Sequence, residues 1–143
     1  MKRSEIFFAI AQVILDFLAL LLASVVAYSI RFSGFFISFR PAVSLVSWRT
    51  YITLALFMAV IWVLIFFLSG LYPIGRPKKI LGELGRIISA CSTGFVAVTI
   101  LLFLARDVLS SRFIVLAAWA LAIVFVVVSH LLLRSARKLA FSY

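Results

Sequence analysis

Apolar residues occupy this chain in four long blocks, separated by shorter stretches that carry most of its prolines and charges. The first block, 6–30, is interrupted only by Gln12, Asp16 and a few Ser and Tyr residues. At about 1.5 Å per residue it is long enough to cross a hydrocarbon layer of roughly 30 Å. Further blocks follow at about 51–71, 87–104 and 113–133. The pattern predicts an all-α, polytopic four-helix membrane bundle, with 1–143 as a single transmembrane domain and 72–86 as a basic, amphipathic connector. In that connector Ile80, Leu81, Leu84, Ile87 and Ile88 recur on one face, so an amphipathic helical turn should run along the membrane surface before the third span.

Within the first block Asp16, Ala19, Ala23, Ala27 and Arg31 follow at helical spacing. A face with a carboxylate, three small residues and a cation packs against protein rather than lipid. A charged Asp near the bilayer centre costs on the order of 2.5–3.5 kcal/mol, so neighbouring helices must shield it or it must keep its proton. Matched by depth, the expected partners are Trp62 and Thr99, with Thr93 nearer Gln12. One such polar pair contributes about 0.6 kcal/mol, enough to orient helices more than to hold them together. Ala90 with Gly94, and Ala118 with Ala122, offer small faces for close helix approach. The alanine stripe is read as an intramolecular seam; a homo-oligomer contact is its rival.

Boundaries come from turn and interface residues. An aromatic loop follows Arg31, and Trp48, Arg49 and Tyr51 suit head-group depth. Pro73 should end the second span, and Pro77 suits a first helical position. Ser110 or Ser111 is placed to cap the fourth span. Arg31 and Arg112 read as snorkelling anchors, and His130, beside Arg134 at a helix end, as an interfacial residue without a role.

Composition sharpens this picture. Hydrophobic residues make up 66% of the chain and acids number four, which excludes a soluble domain. The net charge of +10 sits at the ends of apolar blocks, where it matches anionic lipid rather than nucleic acid. Cys91 is the only cysteine and His130 the only histidine, so neither a disulfide framework nor a four-ligand metal site is expected, and no cofactor is. Lys2 and Arg3 before an apolar stretch resemble a signal peptide, but the stretch exceeds the usual apolar region and contains Asp16, so an uncleaved span is expected. In a four-span arrangement nine cations fall on the side of the termini and five on the other, which predicts both termini in the cytoplasm.

Several residues then carry a resemblance. Asp16, Phe17, Leu18, Ala19 and Leu20, with Ala23, Ala27, Tyr28, Arg31 and Phe32, lie in the first span; Gly70, Leu71 and Tyr72 close the second; Glu83, Arg86 and Ile87 follow; Ser111, Arg112 and Phe113 open the fourth. In order and spacing the chain resembles the N-terminal four-helix membrane domain of bacterial polyprenyl-phosphate sugar-1-phosphate transferases, which start exopolysaccharide and O-antigen assembly. It is also similar to the membrane anchor of nucleotide-sugar 4,6-dehydratases. The resemblance implies an inner-membrane location, a downstream or separate cytoplasmic catalytic domain as partner, and polyprenyl phosphate beside bulk lipid as a ligand. Arg76, Lys78, Lys79 and Arg86 would then hold the lipid phosphate.

Catalytic residues are not expected within the chain. Transfer in the resembled family uses an adjacent Asp-Glu pair, whereas Glu5, Asp16, Glu83 and Asp107 are scattered, and Gly75, Gly82 and Gly85 form no phosphate loop. The expected function is membrane anchoring and positioning of such an enzyme. Its rivals are a small transporter or flippase using Asp16, a dehydratase anchor, and a bare interaction subunit.

Overall fold

The computed structural model describes residues 2–34, 38, 47–72, 79–104 and 112–141. Four helices cover nearly all of them: α1 (Lys2–Arg31), α2 (Trp48–Leu68), α3 (Ile80–Leu104) and α4 (Arg112–Phe141). Each is long and apolar enough to cross a membrane. The chain is therefore an all-α, multi-pass membrane protein, as its blocks predict. The helices close into a ring in which α1 touches α2, α2 touches α3, α3 touches α4, and α4 returns to α1 in the most extensive contact of all.

Side-chain contacts fix the directions. Tyr28 near the end of α1 meets Trp48 and Tyr51 at the start of α2, with ring centroids 5.0 and 4.6 Å apart. Arg86 in α3 donates to the Gly70 carbonyl just past α2. Glu5 of α1 faces Arg137 of α4 at 3.9 Å. Consecutive helices are thus antiparallel, and the start of α1 and the end of α4 share one end of the bundle. For that Glu5–Arg137 pair, long and part-exposed, Glu5→Gln is expected to change stability by less than about 1 kcal/mol in a detergent-unfolding titration.

Each helix turns a narrow stripe inward. On α1 the stripe is Gln12, Asp16, Ala19, Leu20, Ala23, Ala27 and Arg31; on α2 it is Tyr51, Ala55, Ala59, Trp62 and Phe66. The seam predicted on α1 is therefore intramolecular. Small inward residues let the backbones approach, while Phe7, Leu18, Leu22, Phe57, Leu64, Phe67 and Phe103 point outward as lipid-facing bulk. Gly94 is the tightest point: a Cβ there would fall among the atoms of the Trp62 indole.

The first two residues after Ser69 show why α2 stops before Pro73. Gly70 takes a left-handed φ of 67°. Its N–H donates to the Phe67 carbonyl and that of Leu71 to the Phe66 carbonyl, both at 3.1 Å. This pair of bonds is a Schellman cap, closed by contact between buried Phe66 and Leu71. The helix ends on a glycine that tolerates φ > 0.

Three expectations are corrected. The connector's surface helix does not form separately, because α3 runs unbroken from Ile80 and sets Glu83 in its first turn, where an acid suits the helix dipole. The fourth span continues to Phe141, since 134–141 contains neither Gly nor Pro to stop it. Arg31 and Tyr51 are buried between helices rather than turned outward as snorkelling or belt residues, and the Tyr51 hydroxyl donates to the Ser24 carbonyl at 2.7 Å. The aromatic loop after Phe32, the caps at Ser110 and Ser111 and the side chain of Arg112 lie outside the described residues.

Candidate functional site: a buried acid–imidazole seam

Asp16 is fully buried, at 0% exposure, midway along α1. An isolated carboxylate there would be expensive, so its donors decide whether the bundle can hold it. One turn earlier on the same helix, the Gln12 amide donates to Oδ1 at 2.9 Å. From α4 the Ser129 hydroxyl lies 2.8 Å from the same oxygen and 2.8 Å from its own helix's Val126 carbonyl. The His130 ring places Nε2 3.1 Å from Oδ2. Both oxygens of Asp16 therefore accept hydrogen bonds.

His130 carries the connection further. Its Nδ1 lies 2.6 Å from Oε1 of Glu83 on α3, and Arg134, one turn along α4, donates to Oε2 of Glu83 at 3.2 Å. Arginine, imidazole and two carboxylates thus form a single line, from a part-exposed end at Glu83 to a dry end at Asp16. Exposure falls along it: the side chain of Glu83 is 29% exposed, that of His130 5% and that of Asp16 0%. A small crevice of about 10 Å³, room for roughly one water, opens between α3 and α4 beside it. Glu83, Ile87, His130 and Arg134 are among its walls.

Protonation follows from the geometry. A neutral imidazole has one N–H and one bare nitrogen, so it cannot donate to two ionised carboxylates. The two bridges therefore hold two protons. Either the ring is imidazolium between two carboxylates, or it is neutral and one acid keeps its proton. In both forms Asp16, His130 and Glu83 together carry a single negative charge, and Arg134 balances it.

Two further side chains approach Asp16. The Tyr72 hydroxyl is buried close to it, just outside hydrogen-bonding geometry. Burial, and then the charge of Asp16, push that phenol well above its ordinary pKa, so it stays protonated. Because the hydroxyl is an unpaired polar group, Tyr72→Phe is expected to leave stability unchanged or raise it by about 1 kcal/mol, read from unfolding in mixed detergent. Cys91 of α3, fully buried, also faces Asp16.

The expected partners of Asp16 are corrected accordingly. Thr93 and Thr99 are exposed and bond their own helix, at the Ser89 and Phe95 carbonyls. Trp62 lies inward, over Gly94, with its indole N–H unpaired. Only Gln12 is a partner among the residues expected. Ser129 and His130 were missed, and His130 is a buried bridge rather than an interfacial residue. Of the four connector cations, Arg76 and Lys78 lie outside the described residues, while Lys79 and Arg86 are exposed near the terminal end. Arg86 is tied to the Gly70 carbonyl. No group of residues suited to hold a metal ion occurs among the described residues.

No family model, curated protein or solved structure matches this chain. Fold and site together define a four-span membrane bundle clasped by a buried acid–imidazole seam.

Proposed function

We propose that the chain is the membrane-anchoring and positioning domain of a polysaccharide-biosynthesis glycosyl-1-phosphate transferase that acts on polyprenyl phosphate at a bacterial inner membrane. The observation that supports this most is the pairing of α1 and α4. They reach one end of the bundle side by side, and their polar groups are consumed in fastening the two helices to each other. A catalytic domain joined to or docked at that end is held at one membrane face. Arg3, Lys79, Arg86, Arg134, Arg137 and Lys138 gather at the same end, and the positive-inside bias makes it cytoplasmic. There Lys79 and Arg86, with Arg76 and Lys78 of the same connector, attract anionic lipid and the phosphate of the polyprenyl carrier.

A swap tests the reading. The bundle replaces the membrane domain of a polyprenyl-phosphate sugar-1-phosphate transferase, and transfer of labelled sugar phosphate to polyprenyl phosphate is measured in membranes. Restored transfer is expected; a chimera that inserts but does not transfer overturns it. The second reading, a small transporter, is favoured by the link from Glu83 through His130 to an intramembrane acid. It predicts substrate or proton flux in vesicles that Asp16→Asn abolishes.

A further inference from the structure

We propose that the line Glu83–His130–Asp16 is a blind proton path, open to water at one membrane face only, and that a third proton entering it unlatches α3 from α4. This does not rest on the anchoring reading, and it excludes proton flux through Asp16 to the other face.

Three observations carry it. The first is continuity: steps of 2.6 and 3.1 Å join a part-exposed carboxylate to a dry one through a ring that can take a proton on one nitrogen and release one from the other. The second is closure beyond Asp16. Between Asp16 and the buried Arg31 and Tyr51 at the other end, the inward side chains among the described residues are Ala19, Leu20, Ala23 and Ala27 on α1, Ala55 and Ala59 on α2, Val98 on α3 and Ala122 on α4, all apolar. A proton that reaches Asp16 leaves by the way it came.

The third observation is charge pairing. Asp16 Oδ1 accepts from Gln12 and Ser129 and Oδ2 meets His130, while Glu83 Oε1 meets His130 and Oε2 accepts from Arg134. Glu83 thus has a donor at each oxygen, and Arg134 keeps its proton. With two protons in the bridges, a third from hydronium still finds a lone pair on a carboxylate, but it removes the negative charge there, and charge-assisted hydrogen bonds are roughly twice as strong as neutral ones. Glu83 is the member nearest water, so the proton enters there. Its contacts with His130 and Arg134 are the ones weakened, and these join α3 to α4 beside the crevice. The other groups around the line do not replace the lost charge. Tyr72, after α2, brings a hydroxyl that stays protonated; Cys91 of α3 is buried; and Arg137 of α4 is engaged farther out with Glu5.

The test uses the full chain in lipid nanodiscs. Nitroxide labels at Ile80→Cys and Leu131→Cys, two exposed positions flanking the crevice, are measured in a Cys91→Ala background. Between about pH 7.5 and about pH 4, the range in which His and Glu ordinarily titrate, the distance between labels should lengthen. Glu83→Gln should abolish the lengthening, because an amide takes up no proton and has no charge to lose. No lengthening in the parent, or equal lengthening with Glu83→Gln, overturns the proposal. The single histidine gives an independent reading without labels or substitutions. In a ¹⁵N-histidine chain the Nδ1 resonance should move on acidification before Nε2; both moving together, or neither moving, overturns it as well.

Discussion

Replacing Asp16 by alanine should destabilise the bundle by about 3–5 kcal/mol, the range for removing one partner of a buried ionic contact. The loss arises from what stays behind. Gln12 and His130 would point donors into a space with no acceptor, Ser129 would be left with the Val126 carbonyl alone, and Glu83 and His130 would lose the charge balance that Asp16 completes. Asp16→Asn keeps the shape and a carbonyl, and its amide can donate to a neutral ring, so it should cost only about 1 kcal/mol. Reversible unfolding in mixed detergent and anionic surfactant separates the two. If both variants fall within about 0.5 kcal/mol of the parent, the acid is not a structural bond between α1 and α4.

The second large effect belongs to Gly94. Gly94→Val places a branched side chain where the Trp62 indole now lies, so α2 and α3 must separate or the indole must leave. Overpacking of this kind costs about 3 kcal/mol in a tight core. The comparison that isolates the cause is a double-mutant cycle with Trp62→Leu, which frees the space. Trp62→Leu should restore much of the stability that Gly94→Val removes. If the two substitutions simply add, the indole is not the obstacle.

The fold was legible because each apolar block is long enough to span and each carries small residues at helical spacing. Asp16, Ala19, Ala23 and Ala27 did mark the inward stripe of α1, and Ala90 and Gly94 that of α3. The partners of Asp16 were not legible, for a physical reason in each case. Ending the fourth span at Leu133 made His130 terminal, whereas α4 continues through 134–141 and leaves His130 eleven residues inside the helix. Assigning Glu83 to a surface connector hid its place in the first turn of α3. Ser129 had a usable signal, since it continues the stripe of Ala122 and Val126 at spacings of four and three. Depth matching alone favoured Thr93 and Thr99, but depth gives no azimuth. Both threonines lie on the outer side of α3 and satisfy their hydroxyls locally.

The seam also sets a timetable for biogenesis. Asp16 is synthesised 113 residues before Ser129 and 114 before His130. The first helix therefore meets the bilayer while its carboxyl lacks every donor except Gln12, at an insertion penalty on the order of 2.5–3.5 kcal/mol. Only the arrival of the last helix removes that penalty. A nascent chain cut short before α4 leaves an orphaned intramembrane acid, a natural mark for membrane proteases that survey incomplete products.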